Sequence, residues 1–310
     1  MRAVVTNPAD PTRLLLDEVP RPEPAPGEAL IRVSAFSLNA GETRTAHEAT
    51  ERYVPGWDFA GVVERAAPGT PPEGARVYGA VPQGAWAEYV AAGPKLLAAV
   101  PDEVTMAQAA ALPVAALTAL LSLEQAGPLL GRRVLVTGAS GGVGRYACRL
   151  AQLGGAEVTA ISRRPSLPKL LEQDGLTDAA IFPTIAAAKD AGPYDVILDG
   201  VGGDSLGTAL TALAPGGLCV TYGNGSHKPA AFEPRDFFHT PGARLQGLWL
   251  GNLMLQDVGC EPELRRLADF VRRGLLHPPI DAVRPWTEVA DAAARLAGQG
   301  VDGKIVLEIA

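Results

Sequence analysis

The 310-residue chain lacks the features that mark several functional classes. Its formal net charge is −7, so there is no excess of basic residues to bind nucleic acid or an anionic membrane surface. No apolar run approaches the roughly 18 residues of a membrane-spanning helix. The first residues resemble a strand rather than a signal peptide. We therefore expect a cytoplasmic protein that acts on neither nucleic acid nor a membrane.

Clustered metal ligands are also missing from the sequence. The three cysteines, Cys148, Cys219 and Cys260, are far apart and never spaced as C-x-x-C. This spacing argues against a disulfide framework and against a structural zinc lobe. The four histidines do not have the spacing of a local ligand pair. We therefore expect no resident metal ion.

The character of the chain changes near residue 112. Before this point, strand-like segments alternate with turns rich in Pro and Gly, at 30–37, 61–66, 76–80 and 85–91. A helix over 112–126 then leads into strands at 134–137, 158–161, 195–199, 218–222 and 245–250. Helices are predicted at 144–153, 205–213 and 262–273, and we expect Gly154-Gly155 and Pro215-Gly216-Gly217 to end two of them. A last helix is predicted at 287–296, and a last strand at 304–309.

This alternation predicts an α/β fold with a doubly wound parallel sheet of the Rossmann type. We expect that domain to cover residues 116–251. A second, β-rich domain would cover residues 1–115 and would be completed by residues 252–310.

A glycine turn follows the first strand of the predicted parallel sheet. Residues 134–144 read V-L-V-T-G-A-S-G-G-V-G, with Ala139, Gly141 and Gly144 at the spacing of G-x-G-x-x-G. Gly141 would let the backbone approach phosphates, and Gly144 would let the helix pack close to the strand. The N-terminus of the helix would bind a pyrophosphate through its unpaired N–H groups. The candidate cofactor-binding residues here are Ser140, Gly141, Gly142, Val143 and Gly144.

The end of the next strand indicates which dinucleotide would bind. An acidic residue there would select NAD, but the sequence has Ser162, Arg163 and Arg164, followed by Lys169. A hydroxyl and guanidinium groups suit the 2′-phosphate of NADPH. The alternative interpretation is a solvated basic loop. Gly223 and Asn224 also follow a predicted strand, at the sheet edge where such folds bind ligands.

Several motifs together, in their order along the chain, resemble the zinc-independent medium-chain dehydrogenases/reductases, in the quinone oxidoreductase and zeta-crystallin branch. They are Ser37-Leu38-Asn39, Pro55–Gly61, Gly84–Val90, Leu117-Thr118-Ala119, the glycine turn, Asp195–Gly203, Ala214–Gly217 and Gly303–Leu307. The resemblance implies a GroES-like β-rich catalytic domain joined to a Rossmann domain.

The resemblance also shows what the chain lacks. The zinc-dependent members carry a cysteine ligand near position 39, and Gly-His-Glu where this chain has Gly56-Trp57-Asp58. Without a Lewis acid, alcohol oxidation loses its usual means of stabilising an alkoxide. Reduction of a C=C bond conjugated to a carbonyl is therefore the expected reaction.

The resemblance implies roles for four residues. Asn39 would lie beside the nicotinamide ribose and donate to the substrate oxyanion, unless it only shapes a turn. Tyr53 would supply a proton, unless it only packs. Trp57 would stack against a flat substrate, unless it belongs to the core. Thr118 would contact the nicotinamide.

The expected function is NADPH-dependent hydride transfer to a quinone or an enone. Two alternatives remain open: an enoyl-thioester reductase of a polyketide or secondary-metabolite pathway, and a non-catalytic NADPH-binding protein. The apolar strand predicted at Leu245–Leu250 suggests a sheet edge through which a homodimer would form.

Overall fold

The computed structural model describes residues 1–256 and 258–309. Its strands are β1 (Arg2–Thr6), β2 (Leu14–Glu18), β3 (Ala29–Ser37), β4 (Asp58–Arg65), β5 (Arg76–Ala80), β6 (Tyr89–Ala92), β7 (Leu97–Ala99), β8 (Arg133–Thr137), β9 (Glu157–Ile161), β10 (Ala180–Phe182), β11 (Tyr194–Asp199), β12 (Leu213–Thr221), β13 (Arg244–Gly247), β14 (Ile280–Pro285) and β15 (Lys304–Glu308). Its α-helices are α1 (Ala40–Glu48), α2 (Met106–Ala110), α3 (Pro113–Glu124), α4 (Gly142–Leu153), α5 (Leu167–Gln173), α6 (Gly203–Leu210), α7 (Pro234–Phe238), α8 (Leu250–Leu255), α9 (Glu261–Arg272) and α10 (Val289–Ala297).

The described chain forms two compact units. Unit 1 contains Met1–Leu117, Leu250–Gly274 and the C-terminal segment from Pro278, and unit 2 contains Thr118–Trp249 and Leu275–His277. Within the described residues, no helix has the length and apolar character required to span a bilayer.

Unit 2 contains a six-stranded parallel sheet in the order β10-β9-β8-β11-β12-β13. The chain winds outward from β8 in one direction and from β11 in the other. This order confirms the predicted doubly wound fold and places its switch point between β8 and β11, where such sheets bind ligands. Buried apolar side chains from β8, β11 and β12 form its core, including Leu135, Ile197 and Cys219.

Unit 1 is rich in β-structure, as the predicted GroES-like domain requires. Its main sheet has the order β14-β15-β3-β4-β5-β7, with β6 also paired to β3, and β1 and β2 form a separate hairpin. Because β3 is antiparallel to both β15 and β4, the end of β3 lies beside the beginnings of its two neighbours. The side chains of Ser37, Asp58 and Lys304 lie close together there.

Some sequence predictions were wrong in detail. The strand predicted at Leu245–Leu250 ends at Gly247, and Leu250 begins α8, because the run L-Q-G-L-W-L fits a strand or a helix about equally. The helix predicted at 205–213 ends at Leu210. Pro215-Gly216-Gly217 therefore ends no helix but lies within β12, at an irregularity in its pairing with β11. The strand predicted at 85–91 is confined to β6.

Candidate functional site

The candidate site of unit 2 is the turn between β8 and α4. Gly138 has φ +60°, a left-handed conformation that favours glycine. A β-carbon added to Gly144 would lie 2.3 Å from the Gly138 carbonyl oxygen and 2.7 Å from the Cα of Ala139. Only glycine therefore fits at residue 144 without moving the backbone. The same β-carbon at Gly141 would meet nothing closer than 3.4 Å, so Gly141 is not required for packing within the chain.

The turn leaves the N-terminus of α4 available to an anion. Gly141 is the N-cap residue and provides no side-chain cap, Gly142 begins the helix, and Val143 follows. Unpaired N–H groups and the positive end of a twelve-residue helix favour a phosphate here. This turn fits the pyrophosphate of a dinucleotide.

Side chains at the ends of β8 and β9 lie together beside this turn. Ser162 Oγ donates to Ser140 Oγ at 3.1 Å and accepts the backbone N–H of Arg164 at 3.1 Å. Arg163 is exposed and Arg164 half-buried, and Lys169 is exposed on α5. The structure thus brings Ser140 and Ser162 into contact and leaves the basic side chains at or near the surface.

The loops after β11 and β12 lie beside each other at the same edge of the sheet. The N–H of Gly225 donates to the Gly200 carbonyl at 3.1 Å, and a β-carbon on Gly202 would lie 2.4 Å from Asn224 Oδ1. Asn224 itself is exposed, and Gly223 is half-buried. His227, in the same loop, is exposed. Thr118 is buried in α3, with 6% of its surface exposed.

The candidate site of unit 1 is a buried polar cluster where β15, β3 and β4 meet. We define the polar cluster as Ser37, Asn39, Glu42, Asp58 and Lys304. Ser37, Glu42, Asp58 and Lys304 are at most 3% exposed, and Asn39 is half-buried. Buried charges persist in proteins when they are paired and hydrogen-bonded, and these are.

Asp58 lies at the centre of the polar cluster. Its Oδ2 accepts from Ser37 Oγ at 2.6 Å, from Asn39 Nδ2 at 2.8 Å and from Lys304 Nζ at 3.1 Å. Its Oδ1 accepts the N–H of Val114 at 2.7 Å, near the N-terminus of α3. A carboxylate at a helix N-terminus is favoured by the unpaired N–H groups there. Asp58 therefore joins three strands and a helix.

The amide of Asn39 is fully used by its neighbours. Its Nδ2 donates to Glu42 Oε1 at 2.9 Å and to Asp58 Oδ2, and its Oδ1 accepts from Lys304 Nζ. Both amide hydrogens are thus held by carboxylates, so in this geometry none points to a substrate oxyanion. The expected oxyanion-donor role of Asn39 does not fit, because a side-chain amide has only two hydrogens.

Glu42 connects the polar cluster to Trp57. Glu42 accepts the backbone N–H of Asn39 at 2.8 Å through Oε1 and that of Trp57 at 2.5 Å through Oε2. Burial, helped by the nearby charge of Asp58, raises the pKa of Glu42 to about 8, although Lys304 and Asn39 oppose the change. Glu42 is therefore a carboxyl that takes up a proton near neutral pH.

Tyr53 and Trp57 are the half-buried aromatic residues next to the cluster. Burial, and then the charge of Glu42, raises the pKa of the Tyr53 hydroxyl, so that group keeps its proton at neutral pH. The ring of Trp57 packs over Gly41, where an added β-carbon would lie 2.9 Å from Cη2. Trp57 is therefore held both by its backbone and by its ring.

Sequence reasoning missed Lys304 as a functional residue, although it noticed the segment Gly303–Leu307. The available signal was a lysine inside an otherwise apolar strand, since lysine is seldom buried without a partner. It also missed α1, whose N-terminus carries the sequence Asn39-x-x-Glu42, a spacing typical of a capping box.

Comparison with known proteins gives the family. Residues 25–102 match the family model "Alcohol dehydrogenase GroES-like domain", and residues 173–307 match "Zinc-binding dehydrogenase". The chain is 31% identical to the chloroplastic quinone-oxidoreductase homolog of Spinacia oleracea, with 94% of this chain and 92% of the relative aligned. The chain belongs to the medium-chain dehydrogenase/reductase family. It is thus an oxidoreductase with a fold that binds pyridine nucleotides.

Two further relatives are informative. The quinone oxidoreductase of Coxiella burnetii superposes with a TM-score of 0.84 at 25% identity, over 100% of this chain and 99% of the other. A mycocerosic acid synthase-like polyketide synthase of Mycobacterium tuberculosis is 29% identical over 100% of this chain, which spans only 15% of that much longer protein.

One matching family model is named for zinc, but the polar cluster does not fit a zinc ion. Its members offer oxygen atoms and an ammonium group, whereas zinc in proteins is bound mainly by cysteine and histidine. Lys304 Nζ is already bonded to Asn39 and Asp58. Across residues 1–256 and 258–309, no group of three or more His, Cys, Asp or Glu side chains is placed to hold a metal ion.

Proposed function

We propose that this member of the medium-chain dehydrogenase/reductase family is an NADPH-dependent reductase that acts without zinc. Its substrate would be a quinone or the activated C=C bond of an enone. The observation that carries the proposal is the polar cluster, in which Lys304 bonds to Asn39 and Asp58, residues at or beside the positions where zinc-dependent members carry ligands. A reaction that needs no Lewis acid is consistent with such a cluster.

The cofactor-binding residues of the proposal lie in unit 2. The N-terminus of α4, with Ser140 and Gly141, would bind the pyrophosphate. Ser162, Arg163, Arg164 and Lys169 would bind the 2′-phosphate. Thr118, Gly223 and Asn224 would contact the nicotinamide end. When bound, the nicotinamide supplies a hydride to the β-carbon of the substrate.

Residues of unit 1 would stabilise the negative charge on the substrate oxygen and supply the proton that completes the reduction. Hydride addition leaves negative charge on the substrate oxygen, where a donor lowers the barrier. The Tyr53 hydroxyl, which keeps its proton at neutral pH, would donate to that oxygen or supply the proton that completes the reduction. Trp57 would form a flat wall against the substrate, while Asn39, whose amide is fully bonded, would position the other groups.

Oxidation of NADPH in the presence of quinones, enones and enoyl thioesters tests this proposal. We expect turnover with at least one quinone or enone, and no comparable rate with NADH. Tyr53→Phe should lower kcat about 100-fold if the hydroxyl supplies the proton, with an unchanged dissociation constant for NADPH. Tyr89→Phe, elsewhere in unit 1, is the matched control. Equal rates with NADH, or a fully active Tyr53→Phe variant, would contradict the respective assignments.

A second candidate function is reduction of an enoyl thioester. It is favoured by the match of the whole chain to one segment of a polyketide synthase. A kcat/KM higher for an enoyl thioester than for the corresponding free enone would support this function. Tight binding of NADPH with no turnover of any acceptor would instead support a non-catalytic binding protein.

We also propose a cytoplasmic homodimer. Strand β13 is an edge of the six-stranded sheet, and Leu245 and Trp249 beside it are 44% and 58% exposed. An apolar edge of this kind is usually covered in a stable protein. Sedimentation should give a dimer that Leu245→Lys dissociates. A wild-type monomer at micromolar concentration would contradict this proposal.

A further inference from the structure

Unit 1 contains a buried ammonium group, that of Lys304, whose burial needs a physical explanation. Lys304 is 3% exposed, and taking its charge out of water is costly unless partners compensate. Its Nζ bonds to two atoms on two different segments, Asn39 Oδ1 at the start of α1 and Asp58 Oδ2 at the start of β4. Lys304 therefore connects β15 to side chains on β4 and at the start of α1.

Asn39 links Lys304 to Trp57 through hydrogen bonds. Because the ammonium can only donate, it fixes Oδ1 as the accepting side of the amide, and the amide hydrogens then point to Glu42 and Asp58. Glu42 in turn accepts the backbone N–H of Trp57. A continuous chain of hydrogen bonds thus runs from Lys304 through Asn39 and Glu42 to the backbone of Trp57.

The balance of charges in the polar cluster also depends on Lys304. Glu42 and Asp58 bring two buried carboxyl groups within one hydrogen-bonded network, and Lys304 is its ammonium group. Without that cation, one carboxyl would be buried next to another with no opposite charge. Such an arrangement would favour protonation or rearrangement.

We propose that Lys304 is the resident cation of the candidate site, a positioning residue that fixes the Asn39 amide and the Asp58 carboxylate and, through Glu42, the place of Trp57. Its catalytic consequence rests on the proposed reductase function, whereas its structural consequence does not. Lys304 acts without touching the substrate.

The first test measures folding and needs no activity. Urea unfolding of the wild type, Lys304→Met, Asp58→Asn and the double variant forms a double-mutant cycle. Since the two side chains are bonded, we expect the effects on the folding equilibrium constant to be non-additive by about 10- to 100-fold. Lys189→Met, an exposed lysine outside the polar cluster, is the control and should leave stability unchanged. Additive effects at positions 58 and 304 would overturn the proposal.

The second test separates positioning from folding. At a temperature where Lys304→Met is fully folded, kcat should fall about tenfold or more because Trp57 and its neighbours lose their alignment. The dissociation constant for NADPH should stay within about twofold, since its proposed binding residues lie in unit 2. An unchanged kcat would overturn the positioning role.

Asn39→Ala carries the catalytic test if Lys304→Met does not fold. It breaks the connection to Glu42 but leaves the Lys304–Asp58 pair, and it should reproduce the fall in kcat. A fully active Asn39→Ala would contradict the proposal. If the wild type itself reduces no acceptor, the proposed function fails, while the folding cycle still decides whether Lys304 is coupled to Asp58.

Discussion

Two glycines in the turn between β8 and α4 are expected to have different roles: Gly144 is required for packing, and Gly141 for binding the cofactor. In Gly144→Ala, the new β-carbon would lie 2.3 Å from the Gly138 carbonyl oxygen and 2.7 Å from the Ala139 Cα, both backbone atoms that cannot move as side chains do. Overpacking costs about 1–3 kcal/mol, and a contact with backbone belongs at the upper end of that range. We expect a loss of about 3 kcal/mol, equivalent to a fall in Tm of about 5 °C for a chain of this length.

Gly141→Ala provides the contrast within the same turn. Its β-carbon would meet nothing closer than 3.4 Å, so its cost to stability should be about 1 kcal/mol or less, that of alanine as an N-cap residue. The same β-carbon would project where a pyrophosphate is expected, so the dissociation constant for NADPH should rise about tenfold or more. Gly93→Ala, with open space around the new β-carbon, is the control for both measurements.

The assays are thermal unfolding of the unliganded protein and titration with NADPH. The expected pattern is a large fall in Tm for Gly144→Ala, together with weaker binding because α4 shifts. Gly141→Ala should show weaker binding with a nearly normal Tm. A wild-type Tm for Gly144→Ala would refute the packing argument, and wild-type affinity in both variants would refute the assignment of the turn to the cofactor.

Three further predictions concern charged groups. Burial raises the pKa of Glu42 from its ordinary value of 4.5 to about 8, so between these pH values the folded chain binds a proton that the unfolded chain has released. The free energy of unfolding should therefore fall as pH rises from about 4.5 to 8. Glu42→Gln should flatten that slope in urea unfolding measured across this pH range. Arg163→Ala should weaken NADPH about tenfold and leave NADH unaffected in binding titrations, since an arginine–phosphate contact is lost; equal effects on both cofactors would contradict the 2′-phosphate assignment. Arg145→Met should cost about 3–5 kcal/mol in urea unfolding because it leaves Asp174 buried without the guanidinium that bonds it at 2.5 and 2.6 Å; a cost below about 1 kcal/mol would contradict this.

The architecture could be predicted because short runs of residues determine most of its strands and helices. The run V-L-V-T before the glycine turn predicted a strand at 134–137, and β8 covers Arg133–Thr137. The errors came where the local pattern is ambiguous. The segment L-Q-G-L-W-L divides between β13 and α8, and the glycines after Pro215 lie in a pairing irregularity that depends on β11. Neither outcome is determined by the residues of the segment alone.

The candidate site was less predictable because it depends on strand pairing. Lys304 and Asp58 are 246 residues apart and meet only because β15 and β4 both flank β3. Asn39 and Trp57 were recognised from the family resemblance. That resemblance did not reveal that both hydrogens of the Asn39 amide are already bonded, which is a matter of side-chain geometry.

Zinc-independent hydride transfer from NADPH can be followed with a deuterium label. Metal-depleted protein is incubated with an enone and with NADPH in which both hydrogens at C4 of the nicotinamide are replaced by deuterium, and the product is analysed by mass spectrometry and NMR. We expect one deuterium at the β-carbon of the saturated ketone, at a rate that added zinc does not increase. A product without deuterium at that carbon, or a rate that depends on added zinc, would contradict this expectation.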